Sequence, residues 1–121
     1  MPESAWHRCL KEEEALLALG ETECYIESGR LDACGDDTVS EVELSGRFDR
    51  WAEAFAKLCF DDRPRKRLVV PHEDVKLVAA LSDLCGCGVD VVDAESLPCE
   101  VPDLRPYGRG RGPARARDQT D

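Results

Sequence analysis

Residues 30–46 read RLDACGDDTVSEVELSG, and they set Arg30, Asp32, Glu41 and Glu43 at alternating positions. Two runs of alternating polarity flank Gly-Asp-Asp, the pattern of a β-hairpin. With the turn centred on Asp36 and Asp37, Asp32 falls opposite Glu41 and Arg30 opposite Glu43. Cross-strand neighbours have β-carbons about 5 Å apart, and like charges at that spacing repel. A hard divalent cation, Mg²⁺ or Mn²⁺, removes the repulsion, and two carboxylates so placed can share one. Such an ion activates water and neutralises charge on a scissile phosphate, so the chemistry within reach is phosphodiester cleavage. Glu13 is a third acid, able to hold a second ion or orient water, because it interrupts the apolar arc of an N-terminal helix. The plainer alternative is a solvated sheet face. There an Arg30–Glu43 pair is worth about 0–1 kcal/mol, and salt screens the Asp32–Glu41 repulsion over about 10 Å.

These side chains need elements to hold them. Residues 4–19 predict a helix with Ser4 as N-cap, Gly20 as stop, and Trp6, Cys9, Leu10, Leu16 and Leu17 along one face. A turn at Ser28-Gly29 joins strand 23–27 to strand 30–35, and strand 38–45 completes an antiparallel meander. In that register Tyr25, Asp32 and Glu41 form one row, with Tyr25 placed to hydrogen-bond Asp32. Glu27, Arg30 and Glu43 form the next row, and Leu31, Ala33, Val42 and Leu44 point to the core face. Residues 47–60 give the clearest helix, with Phe48, Trp51, Ala52, Phe55, Leu58 and Cys59 at three- and four-residue steps. A short strand (RLVVP), a helix ending at glycines and a second strand (VDVVDA) follow, which implies a crossover with parallel pairing. The expected fold class is therefore α/β, a mixed central sheet in the order α-β-β-β-α-β-α-β.

The 121 residues suit one domain, residues 1–95, and the Pro/Gly/Arg-rich residues 96–121 read as a disordered tail. No apolar run approaches the roughly 20 residues of a membrane span, and the start carries no secretory pattern, so the expected location is intracellular and cytoplasmic. The net charge is −10, yet residues 105–121 carry five arginines against two aspartates, leaving −13 on residues 1–104. An acidic body does not offer a broad phosphate-binding face. It suits cation binding, solubility, or imitation of a polyanion toward a basic protein partner. The tail YGRGRGPARAR is the segment that can meet nucleic-acid phosphates. A homodimer is compatible with this composition. Seven scattered cysteines without a leader read as reduced thiols. Cys85, Cys87 and Cys99 have a poor spacing for zinc, and His7 and His72 are isolated.

The element order and a few residues resemble the core of the PD-(D/E)XK nuclease superfamily over residues 4–95. The resemblance implies that Asp32 supplies the acid of the second core strand, Glu41 that of the third, and Glu13 the helical glutamate. It implies a metal held by Asp32, Glu41 and Glu13, with the Val42 carbonyl as a further ligand. Glu43 stands where the family carries lysine, and it can serve only as a base or an extra ligand. Some relatives move that lysine to the next helix. Lys57 is there, although it lies off the apolar stripe and is expected to face water; Arg30 and Arg47 are other cations nearby. The expectation is a metal-dependent nuclease, slow or relying wholly on metal, or the same fold kept as a non-catalytic interaction module.

Overall fold

A computed structural model describes residues 3–27 and 29–102. Its elements are α1 (Ala5–Leu17), β1 (Glu21–Ile26), β2 (Gly29–Cys34), β3 (Thr38–Val42), α2 (Phe48–Phe60), β4 (Arg65–Val70), α3 (Val75–Cys85) and β5 (Val89–Asp93). Short 3₁₀ turns at His72–Asp74 and Ala94–Ser96 precede α3 and follow β5. The five strands form one sheet in the order β1-β2-β3-β4-β5. The first three pair antiparallel, and β3, β4 and β5 pair parallel. The expected mixed α/β sheet is thus observed.

Alternation along β4 shows how the layers are built, since successive strand residues point to opposite faces. Leu68 and Val70 join Trp51, Phe55, Leu58 and Val78 in a core under α2 and α3. Val69 joins Leu10, Val42 and Ala94 in a second core under α1. The core face expected from Leu31, Ala33, Val42 and Leu44 is therefore divided: Leu31 packs with the first core, while Val42 and Leu44 belong to the second. The ladder is irregular at Glu23 and Asp32, so Leu31 and Ala33 need not share a face.

Helix α1 starts as expected, with the Ser4 side chain accepting a hydrogen bond from His7 N–H. Its buried face is different. Leu10, Lys11, Glu14 and Ala15 are buried, whereas Leu16 and Leu17 are 67% and 59% exposed. After α1 the backbone passes so close to the end of β2 that a β-carbon on Gly20 would lie 1.8 Å from the Cys34 carbonyl oxygen. One on Gly35 would lie 2.0 Å from that of Ala18. Only glycine fits either position. Helix α2 buries Trp51, Ala54, Phe55 and Leu58, but Phe48, expected inside, is 65% exposed.

The β2–β3 hairpin has the expected register, Ala33 opposite Ser40 and Cys34 opposite Val39, about a turn centred on Asp36 and Asp37. The β1–β2 register is shifted by two residues: Ile26 pairs with Gly29 and Tyr25 with Arg30. The connection is therefore centred on residues 27–28, not 28–29.

Six cysteines pair as Cys9–Cys99, Cys24–Cys34 and Cys59–Cys87, and Cys85 is the free one. The expectation of reduced thiols is overturned, and with it the zinc alternative, whose Cys87 and Cys99 are bonded elsewhere. Past residue 95, where the tail was expected to begin, Leu97 and Cys99 still pack against the α1-side core. Residues 103–121, including the YGRGRGPARAR segment, lie outside the described residues.

Candidate functional site

Asp32 sits where the sheet ladder is interrupted on both sides. Toward β1, pairing passes from Thr22–Ala33 to Cys24–Leu31 and omits Glu23, which has a positive φ of 57°. Toward β3, pairing ends at Ala33–Ser40. Main-chain groups left out of a ladder need other partners, and here the two acids supply them. The Glu41 Oε2 accepts from Asp32 N–H at 2.8 Å, and the Asp32 Oδ2 accepts from Val42 N–H at 2.7 Å. Each carboxylate thus reaches across to the other strand's backbone, which fixes both and brings their charges together. Their side chains are 13% and 9% exposed.

Proximity has an electrostatic consequence. Burial first, then the Asp32 charge, push the Glu41 pKa up to about 7, against the lowering influence of Lys57. Lys57 is not turned to water as its position off the α2 stripe suggested. Its Nζ donates to the Arg30 carbonyl at 2.9 Å and lies 3.5 Å from Glu41 Oε1. Position 57 follows buried Ala54 by three residues, so it lies at the edge of the buried face, where a long side chain can fold back over the strands.

Helix α1 contributes from the other side. His7 Nε2 stands 3.9 Å from Asp32 Oδ2, a charge contact rather than a hydrogen bond. Asp32 raises the His7 pKa against the opposing effect of burial. One turn on, Lys11 Nζ contacts Glu3 Oε2 at 2.5 Å and Glu23 Oε2 at 2.7 Å. Burial disfavours that ammonium, yet hydrogen bonds to Glu23 and Glu3 outweigh it and raise its pKa. The acid in the β1 place of the row is therefore Glu23. Tyr25, expected beside Asp32, lies opposite Arg30 and is 80% exposed.

The remaining expected site residues fall elsewhere. Glu13 is half-buried, and among the described residues no hydrogen bond or ion pair joins it to Asp32 or Glu41. The buried glutamate of α1 is Glu14, wholly inside, accepting from Ser40 Oγ at 2.7 Å and from Arg67 Nε and Nη2 at 2.7 and 2.9 Å. Glu43 does not meet Arg30. Its carboxylate accepts from Ser45 N–H at 3.0 Å, and Arg30 Nη1 lies 3.7 Å from Glu23.

The Asp32 and Glu41 carboxylates are oxygen donors of the kind a hard cation takes, whereas the His7 Nε2 beside Asp32 is a nitrogen, buried and without a hydrogen-bond partner among the described residues. Among those residues one group of three such donors closes within 4.8 Å, Glu21 with Cys24 and Cys34, and its two sulfurs are bonded to each other. Asp32, Glu41 and His7 do not close to that extent. His7 escaped sequence reasoning, and Lys57 was expected to face water, because no short-range motif joins either to the hairpin. The family models, curated proteins and solved structures with which the chain was compared give no match.

Proposed function

We propose that this chain is a metal-dependent, nuclease-like protein of the PD-(D/E)XK type that acts on nucleic acid, with Asp32 and Glu41 as its metal-binding acids. The observation carrying the reading is their mutual clasp, in which buried Glu41 and half-buried Asp32 are held together by each other's main chain at an interruption of the sheet. These hydrogen bonds satisfy main-chain groups at the interrupted ladder, but uncharged side chains could do the same without setting two acids side by side. The order of elements on which the family resemblance rests is also that of the folded chain, which supports the finer restriction-endonuclease-like assignment.

When bound, Mg²⁺ or Mn²⁺ supplies a polarised water and charge neutralisation at the phosphate. The chain's own groups do the rest. Asp32 and Glu41 are oriented by backbone N–H groups before anything binds. Lys57, beside Glu41, provides the positive charge that Glu43 cannot, and it offsets negative charge developing on phosphate oxygens. His7 can hold or release a proton next to Asp32. Glu43, tied to the following turn, has no part in this scheme.

The test is divalent-metal-dependent cleavage of DNA and RNA, single and double stranded. Cleavage abolished by Asp32→Ala and by Glu41→Ala, with folding retained, supports the reading. Folded protein that cleaves none of these substrates with Mg²⁺ or Mn²⁺ contradicts it.

A further inference from the structure

The carboxyl-terminal ends of β3, β4 and β5 border a cleft of about 610 Å³, separate in its lining from Asp32 and Glu41. Trp6, Leu44, Glu73, Asp74, Glu95 and Pro102 form much of its wall. This side of an open α/β sheet is where ligands commonly bind. The charge of the cleft selects against phosphate, because its walls carry three carboxylates and no lysine or arginine. Among the described residues no lysine or arginine pairs with Glu73 or Asp74. The neighbouring His72 is engaged by Asp93 at 2.6 Å. Burial and then the Glu73 charge raise the Asp74 pKa, as expected of a carboxyl without a cation beside it. The indole Nε1 of Trp6 is buried and has no partner among the described residues.

A basic occupant is close at hand. Val101 and Pro102 line the cleft, and they are the last described residues of the chain. The sequence then continues through Asp103 and Leu104 to Arg105, with Arg109, Arg111, Arg115 and Arg117 beyond. A chain reaches at most about 3.6 Å per residue, so the Arg105 Cα lies no farther than roughly 11 Å from that of Pro102. Short tethers give effective concentrations on the order of millimolar, so even a weak guanidinium–carboxylate contact is populated.

We propose that the cleft is the docking site of this chain's own arginine-rich segment, residues 105–117, whose guanidinium groups pair with Glu73 and Asp74. The docked arginines are withheld from other anions, so phosphate-bearing partners compete with the cleft for them. The contact does not depend on the acid pair and stands or falls separately from the nuclease reading.

The test is the ¹H–¹⁵N spectrum of the full chain with Arg105, Arg109, Arg111, Arg115 and Arg117 replaced by serine. The expected result is a shift of the Trp6 indole N–H and of the Gly46, Glu73 and Asp74 amides, with the Trp51 indole unchanged. Raising salt to about 1 M in the unsubstituted chain moves the same signals toward the same positions. Glu73→Gln combined with Asp74→Asn likewise abolishes the response of the Trp6 indole to the arginine replacements. Cleft signals that ignore the replacements overturn the proposal. Shifts that grow with protein concentration also overturn it, since they place a second molecule in the cleft.

Discussion

Glu41 is where burial, charge and main-chain hydrogen bonding meet. Its pKa near 7 against an ordinary 4.5 means that the folded protein holds a proton that the unfolded chain has released. Between those pH values the folded state binds more protons, so stability falls as pH rises and levels off above about pH 7. The loss is on the order of 3 kcal/mol, at about 1.4 kcal/mol per unit. His7, with its raised pKa, adds a loss of the same sign at the upper end of this window. Urea denaturation from pH 5 to pH 8 should therefore show declining stability in the parent chain, and a much flatter profile in Glu41→Gln. The same linkage predicts that Mn²⁺ raises the melting temperature more at pH 8 than at pH 5.5, because the ion binds ionised carboxylates. Lys57 is predicted to separate binding from chemistry. Lys57→Ala should keep metal affinity within a few-fold while lowering cleavage by about 10²-fold, read from single-turnover rates.

At the scale of elements, the packing of α1 on the sheet depends on a buried polar contact as much as on Leu10. Glu14 is fully enclosed and is held by Arg67 on β4 and Ser40 on β3. Removing one partner of a buried pair typically costs about 3–5 kcal/mol. Glu14→Ala should therefore destabilise the protein by that much in urea, while Glu13→Ala, at a half-buried position, should cost well under 1 kcal/mol. This contrast also shows what the sequence could not reveal. Apolar spacing ranked Leu16 and Leu17 as inward and so put Glu13 at the centre of the buried arc. The true face is chosen by Arg67, 53 residues away, which no local pattern contains. The β2–β3 hairpin was legible because Gly-Asp-Asp fixes its turn, although its ladder stops at Ala33–Ser40, and Asp32 and Glu41 meet through side chain and main chain and not as a ladder pair. The β1–β2 register was not, since Glu27-Ser28 and Ser28-Gly29 are both reasonable turn centres, and the choice between them exchanges Tyr25 for Glu23 beside Asp32. The βαβ half was readable from its alternation of short apolar runs and helical periodicity, whereas the approach of His7 and Lys57 depends on how two helices settle on opposite faces.

For the whole molecule, two of the three disulfides, Cys9–Cys99 and Cys59–Cys87, join parts that the sheet does not hold together, and Cys24–Cys34 bridges the paired strands β1 and β2. Cys9–Cys99 ties α1 to the chain after β5 across 90 residues, whereas Cys24–Cys34 spans 10. Closing the longer loop restricts the unfolded chain more, by about 2 kcal/mol from the ratio of loop lengths. Replacing both Cys9 and Cys99 with alanine should thus lower stability more than replacing Cys24 and Cys34, as measured by denaturant unfolding without reductant. Such bonds persist under oxidising conditions, so the cleavage assay calls for protein purified without thiols. The net charge is −10, and the cleft by the carboxyl ends of the strands carries three carboxylates, while residues 105–117 carry five arginines. The central claim is that the clasped acids form a cation site. Electron paramagnetic resonance of Mn²⁺ titrated into the protein at pH 8 measures this directly. One bound ion per chain, lost in both Asp32→Asn and Glu41→Gln with folding intact, is the predicted result; Mn²⁺ binding that is absent, or unchanged in the two variants, would contradict it.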